Sequence, residues 1–198
     1  RMVCHPYTRL MTAHAFVDQS AAILVASQAM ADELRVPQRQ RVYLHAHQQA
    51  HDIWFVSERA QLARSPAIQA VVSHVLDAAE KRLADIDLFD IYSCFGSAIQ
   101  IACDEIGLAT DDPRGLTVTG GLPFFGGPGN NYVTHAISEM VMQLRRRPQA
   151  YGLVTANGGL LTKHAAGVFS AQAPKQPLAP AKLDIAHEPG ARIDVVVA

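Results

Sequence analysis

Cys94, His135, Asn157, Gly159 and His164 are the residues whose types and settings suit chemistry at a carbonyl group. Cys94 precedes a helical stretch, where unpaired N–H groups and the helix dipole favour a thiolate. His135 follows Asn131 and precedes Glu139 at four-residue spacing, so the three share a helix face close behind a glycine-rich loop. His164 comes after Thr162 and Lys163, beyond an Asn157-Gly158-Gly159 turn. An imidazole in either place would serve as an acid–base group. Each also has a plain alternative: a free cysteine is commonly a buried packing group, and a histidine is commonly held in the fold by hydrogen bonds. Cys103 falls on an apolar helix stripe and reads as core.

The stretch from Gly115 to His135 runs a short β-branched strand into the glycine-rich loop, with a helix opening at Asn130 or Asn131. Glycine lets backbone approach a ligand closely, and a helix start presents unpaired N–H groups. Gly126, Gly127, Pro128, Asn130 and Asn131 are therefore candidate binding residues. The loop has neither the Gly-Lys-Ser/Thr of a phosphate-binding loop nor the Gly-x-Gly-x-x-Gly of a dinucleotide site. Phosphate cleavage and nicotinamide chemistry are disfavoured. Tyr92-Ser-Cys-Phe95 and Asn157-Gly-Gly159 also end strands, and open α/β sheets gather ligand groups at the carboxyl ends of their strands. The expectation is that three turns meet in one pocket, with Tyr92, Phe95 and Gly158 among its walls. His45, His47 and His51 share one side of an extended segment, which raises a metal-dependent hydrolase as a separate reading. No cysteine or carboxylate joins them at ligand spacing, so no metal or other cofactor is expected.

Positioning these groups requires alternating strands and helices. Ser20–Ser27 and Arg41–His47 read as strands, with a brief helix over Gln28–Leu34 between them, stopped ahead of Pro37. Ser65-Pro66 caps a helix whose apolar stripe is Ile68, Val71, Val72, Val75, Leu76, Ala79 and Leu83. Leu88–Tyr92 is a strand. Phe95–Gly107 is a helix with Ile99, Ala102, Cys103 and Ile106 inward. Leu116–Thr119 is a further strand. The helix that follows the loop buries Val133, Ile137, Met140, Val141 and Leu144. Tyr151–Ala156 and Ala165–Ser170 complete the strands. Such alternation implies an α/β layered domain over residues 1–171. Gln172–Pro180 has linker composition, and the remainder to Ala198 begins a β-rich piece.

At 198 residues the chain can enclose a core of its own. Lys and Arg total 17 against 18 Asp and Glu, with no basic stripe, so nucleic acid is not an expected partner. No apolar run approaches the roughly 18 residues of a membrane span. Three cysteines without paired spacing suit a reducing compartment, and the cytoplasm is the expected location. Both ends read as cut.

Several segments carry a family resemblance. Asp18-Gln-Ser-Ala-Ala-Ile-Leu-Val-Ala-Ser27 and Ser57-Glu-Arg-x-x-Leu-x-x-Ser-Pro-Ala67 resemble thiolases, the second those of sterol-carrier-protein type. Asp90-Ile-Tyr-Ser-Cys-Phe-Gly-Ser-Ala98 stands where thiolases carry Asn-Glu-Ala-Phe or His-Asp-Cys-Phe. Gly120–Asn131 takes the place of Gly-His-Pro, and Gly152-Leu-Val-Thr-Ala-Asn-Gly-Gly159 that of Cys-x-Gly. The resemblance, over about residues 1–171, implies the C-terminal half of a thiolase-like layered α/β/α protein with the start of an extra C-terminal domain. It further implies an acyltransferase of lipid metabolism, of the acetyl-CoA acetyltransferase kind, with a coenzyme A thioester as substrate. Its nucleophilic cysteine would lie in an N-terminal half outside this chain, and homo-oligomers are common in the family. The resemblance is imperfect at the chemistry. The family Asn or His falls on Tyr92 while Phe95 is kept. The histidine of Gly-His-Pro falls on Gly127 while Pro128 is kept. The acid–base cysteine falls on Asn157, leaving Gly159 to offer a backbone N–H. Asn does not exchange protons near neutral pH, so the resemblance also admits a non-catalytic module that binds acyl-CoA or a partner.

Overall fold

The computed structural model describes residues 1–178 and Ile185. A two-stranded ribbon opens the chain, β1 (Met2–Cys4) with β2 (Tyr7–Thr8), followed by the short helix α1 (Gln28–Glu33). The main body then runs β3 (Tyr43–His51), α2 (Pro66–Ala78), β4 (Leu88–Asp90), α3 (Gly96–Ile106), α4 (Tyr132–Arg146), β5 (Tyr151–Gly158) and β6 (Lys163–Ser170). Its sheet has the order β3-β6-β5-β4. β6 is antiparallel to both of its neighbours, and β4 is parallel to β5.

Side-chain alternation along β5 sorts the core into two layers. Leu153 joins α2 and α3 in one apolar cluster, whereas Val154 joins α4 in the other. The result is the α/β/α layering that the thiolase resemblance implies. α2 starts where Ser65 Oγ accepts from the Ile68 N–H with Pro66 in the first turn, and it buries Ile68, Val71, Val72, Val75 and Leu76. α3 ends at Gly107 in the left-handed region, and fully encloses Ala98, Ile101, Ala102 and Cys103, with Ile99 and Ile106 only half-covered.

The inward face of α4 is rotated from the expected one. Tyr132, Ala136, Met140 and Leu144 are fully buried at four-residue spacing, and Val133, Ile137 and Val141 flank them. The tyrosine hydroxyl decides this, because it donates to the enclosed Asp90 carboxylate at 2.9 Å and turns that stripe onto the sheet. Gly152 permits the close approach: a Cβ there would collide with the Met140 thioether.

Two expected strands are absent. Residues 20–27 form no strand and pair with no strand among the described residues, and Leu24 and Val25 are 89% and 86% exposed. Apolar β-formers make a strand only when a neighbouring strand accepts their ladder, and here none does. At Leu116–Thr119 the carbonyl of Leu116 accepts from the Ile91 N–H, which begins a pairing. The N–H groups of Val118 and Thr119 instead donate to Asp90 Oδ2, both at 3.2 Å, and the ladder stops. The Asn157-Gly158-Gly159 turn is also displaced: β5 continues through Gly158, and the chain reverses over Gly159–Thr162, with Gly159 at φ +64°. Gln172–Leu178 contains no strand, and Ile185 packs against the α2 core. The remainder of the linker and β-rich reading of 172–198 lies outside the described residues. Among the described residues no helix is long and apolar enough to cross a membrane.

Candidate functional site

β4 ends at Asp90, and the chain turns through Tyr92, Ser93, Cys94 and Phe95 into α3. Parallel pairing with β5 lays this turn beside the end of β5. The Tyr92 N–H donates to Thr155 Oγ1 at 2.9 Å, and Asn157 Nδ2 donates to Cys94 Sγ at 3.7 Å. Asn157 Oδ1 is buried and lacks a hydrogen-bond partner among the described residues. In register, Asn157 on β5 lies opposite His164 on β6, so both side chains take the same face of the sheet. Tyr92, Asn157 and His164 line one cavity between the sheet and the α2–α3 layer.

The glycine-rich loop does not line that cavity; a strap ties it to the Cys94 turn instead. The Ala13 N–H donates to the Cys94 carbonyl at 2.8 Å, the His14 N–H to that of Leu122 at 3.1 Å, and the Gly127 N–H to that of His14 at 2.8 Å. Thr12 bridges to Phe95, and Gln19 Nε2 donates to the Phe125 carbonyl at 2.8 Å. Gly126, at φ +121°, has no room for a side chain: a Cβ would lie 2.6 Å from Gln19 Oε1. Residues 12–19 thus tie the Cys94 turn to the glycine loop, and Asn157, of the third strand end, touches Cys94.

The remaining candidates do not line this cavity. His135 is on α4, in the opposite helix layer, where Asn131 Nδ2 donates to its Nε2 at 3.4 Å and the Phe125 ring meets it edge-on at 5.3 Å. Asn130 is exposed, and Pro128 leads into the turn before α4. Phe95 is exposed and meets Tyr7 edge-on at 5.4 Å. Gly159 occupies the exposed reversal beyond β5, and Gly158 lies against the Lys163 side chain. His45 Nε2 bonds to the Gln172 carbonyl oxygen at 2.8 Å, whereas His47 and His51 are exposed. No three metal-ligating side chains cluster among the described residues.

The electrostatics correct the expectation of a thiolate. Burial pushes the Cys94 thiol above its ordinary value, and the N–H groups of Phe95 and Cys94 with the Asn157 amide offset that only in part. Desolvation outweighs the short reach of the helix terminus, so Cys94 is a neutral thiol near pH 7.

Beneath the cavity lies a polar cluster that the motifs do not announce. Ser65 Oγ donates to Asp52 Oδ2, the Ala67 N–H donates to Asp52 Oδ1 at 3.1 Å, and His164 Nε2 stands 3.2 Å from Asp52 Oδ2 and 3.3 Å from Ser65 Oγ. All three residues are buried. Burial pushes the Asp52 carboxyl up, but hydrogen bonds from His164, Ser65 and Ala67 outweigh it and hold the group below its ordinary value. This is no hydrolase triad, because one imidazole nitrogen faces both acid and hydroxyl while the serine already donates to the acid. The signal for Asp52 was strand alternation: Ala46, Gln48 and Ala50 point inward, and the same phase carries Asp52 inside. A carboxylate in that phase must find donors.

No family model matches the chain, and no curated protein matches it. Among solved structures, it is 42% identical to a monomeric SCP2-thiolase-like protein type 1 from Mycobacterium smegmatis, over 87% of this chain and 38% of that one, with a TM-score of 0.77. The chain is thiolase-like. The dimeric peroxisomal thiolase of Saccharomyces cerevisiae shares the fold at 19% identity and a TM-score of 0.55, over 72% of this chain and 33% of that one. The thiolase-like chain therefore spans well under half the length of either structure.

Proposed function

We propose that this thiolase-like chain handles a coenzyme A thioester, gripping its acyl end where Tyr92, Cys94 and Asn157 converge, without itself supplying the proton carrier of carbon–carbon Claisen chemistry. The observation that carries the reading is the contact between the Asn157 amide and the neutral Cys94 thiol, which leaves one amide atom buried and unpaired. The two ends of an amide have the same shape. A half-turn lets the Cys94 S–H donate to Oδ1, and Nδ2 is then free to donate to an incoming thioester oxygen. Neither group exchanges protons readily at pH 7, and His164 Nε2 already faces Asp52 and Ser65. Binding without turnover follows from that inventory.

The family places of Gly-His-Pro and Cys-x-Gly fall on Gly127 and Asn157, which supports the same conclusion. The likeness to a protein described as monomeric supports a monomer, which light scattering on the eluting protein reads directly. Calorimetric titration of the full chain with acetyl-CoA tests the main claim. Saturable binding is expected, weakened on the order of tenfold by Asn157→Ala, the worth of about one hydrogen bond. Acetoacetyl-CoA supplied with CoA should release no acetyl-CoA above background. Failure of every CoA ester to bind would overturn the reading. The second reading, an acyltransferase, is favoured by the contact of Cys94 with Asn157, which lies opposite His164 in register; turnover that disappears in Cys94→Ala and His164→Ala would establish it instead.

A further inference from the structure

The cavity beside Asn157 is closed at its far side by α2 and α3. Ile68, Val71 and Val72 of α2 and Ala98 and Ala102 of α3 form its apolar walls, while the polar groups Tyr92, Asn157 and His164 stand at the sheet side. It holds about 20 Å³, room for one or two water-sized groups. Its walls are close-packed, since Val71 and Val72 are 1% and 3% exposed and pack in the α2–α3 core. Tyr92 and Asn157 of this rim also flank Cys94, which accepts from the Asn157 amide, so a thioester carbonyl held by Asn157 would have its acyl tail directed at the apolar wall.

We infer that this cavity is the acyl-end subsite, and that the Ile68–Val71–Val72 face of α2 restricts the ligand to a short, unbranched acyl group of two or three carbons. This rests on the acyl-CoA reading above and adds the chain length to it. A methyl or ethyl group fills the space and gains apolar contact. A longer tail has to push α2 away from the sheet, which a close-packed core resists.

Titration of the full chain with CoA, acetyl-CoA, butyryl-CoA and octanoyl-CoA tests the inference. Acetyl-CoA should bind more tightly than CoA, and octanoyl-CoA more weakly than acetyl-CoA by on the order of tenfold or more, as pocket-size discrimination commonly gives. Val72→Ala should shrink the gap between acetyl- and octanoyl-CoA. Should that variant fail to fold, Ala98→Val fills the cavity from the other side and should bring acetyl-CoA down to the affinity of CoA alone. Equal affinity for CoA and all three esters overturns the subsite while leaving acyl-CoA handling intact. Binding of no CoA species overturns both.

Discussion

Two buried aspartates show how differently the same group behaves on opposite sides of one sheet. Asp52, under the cavity, receives donors from Ser65, Ala67 and the His164 imidazole, and its carboxyl lies below the ordinary value. Asp90, at the end of β4, is wholly enclosed and receives donors from Tyr132, Thr119 and the Val118 and Thr119 backbone. Burial dominates there and raises it to about 6, the donors offsetting that only in part. The count of donors does not decide the sign. What differs is the imidazole hydrogen bond to Asp52, and the completeness with which water is removed from Asp90. The first arrangement fixes a charge under the candidate site. The second uses its acid to capture the Val118–Thr119 backbone and the first turn of α4.

The largest effect on this contrast should come from removing the imidazole. His164→Ala leaves the Asp52 carboxylate buried without its ring partner and should lower unfolding free energy by about 3–5 kcal/mol, the lost hydrogen bond to a buried carboxylate together with the cavity left by the ring. Chemical denaturation at pH 7 measures it. A loss no greater than that of an ordinary surface substitution would show that Ser65 and Ala67 suffice.

The next effect lies in pH dependence. The folded-state value of Asp90 is above its unfolded one, so the folded protein binds the extra proton between about 4 and about 6. Its stabilising contribution is present below about pH 4 and is lost as pH rises to 6, roughly 3 kcal/mol in all. The Asp52 contribution has the opposite sign, being present above the ordinary carboxyl value and lost as pH falls below it. Asp90→Asn should therefore abolish the decline in stability between pH 4 and 6. Denaturation curves of both proteins across that range check the sign; an unchanged slope would remove the contrast.

Tyr132→Phe should give the smallest effect, about 1–2 kcal/mol for the lost hydroxyl bonds. That hydroxyl donates to Asp90 and lies 2.6 Å from Thr119 Oγ1. Removing a donor to the carboxylate should also move the pH window of Asp90 upward, and the same titration of stability reads the shift.

The helices were legible because their information is local. Ser65-Pro66 sets the start of α2, Gly107 ends α3, and apolar spacing gives each a buried face. The α/β/α layering and the likeness of the strand-end segments to thiolases were legible for the same reason. Residues 20–27 and 116–119 were misread because strand formation depends on what lies alongside. One segment had no partner strand among the described residues, and in the other a side chain took the backbone donors. The candidate site divides likewise. Cys94 and Asn157 stood out by type, and their meeting depends on a parallel register between β4 and β5 that no local pattern encodes.

Sequence by itself determined which residues could turn, cap, pack and carry polar chemistry, because those properties belong to a residue and its near neighbours. Tertiary structure alone decided their states: a thiol kept neutral by burial, an aspartate drawn under a histidine 112 positions away, a glycine loop bound to its own N-terminal strap. Solvent exclusion and partner distance set those outcomes, and both are properties of the folded chain.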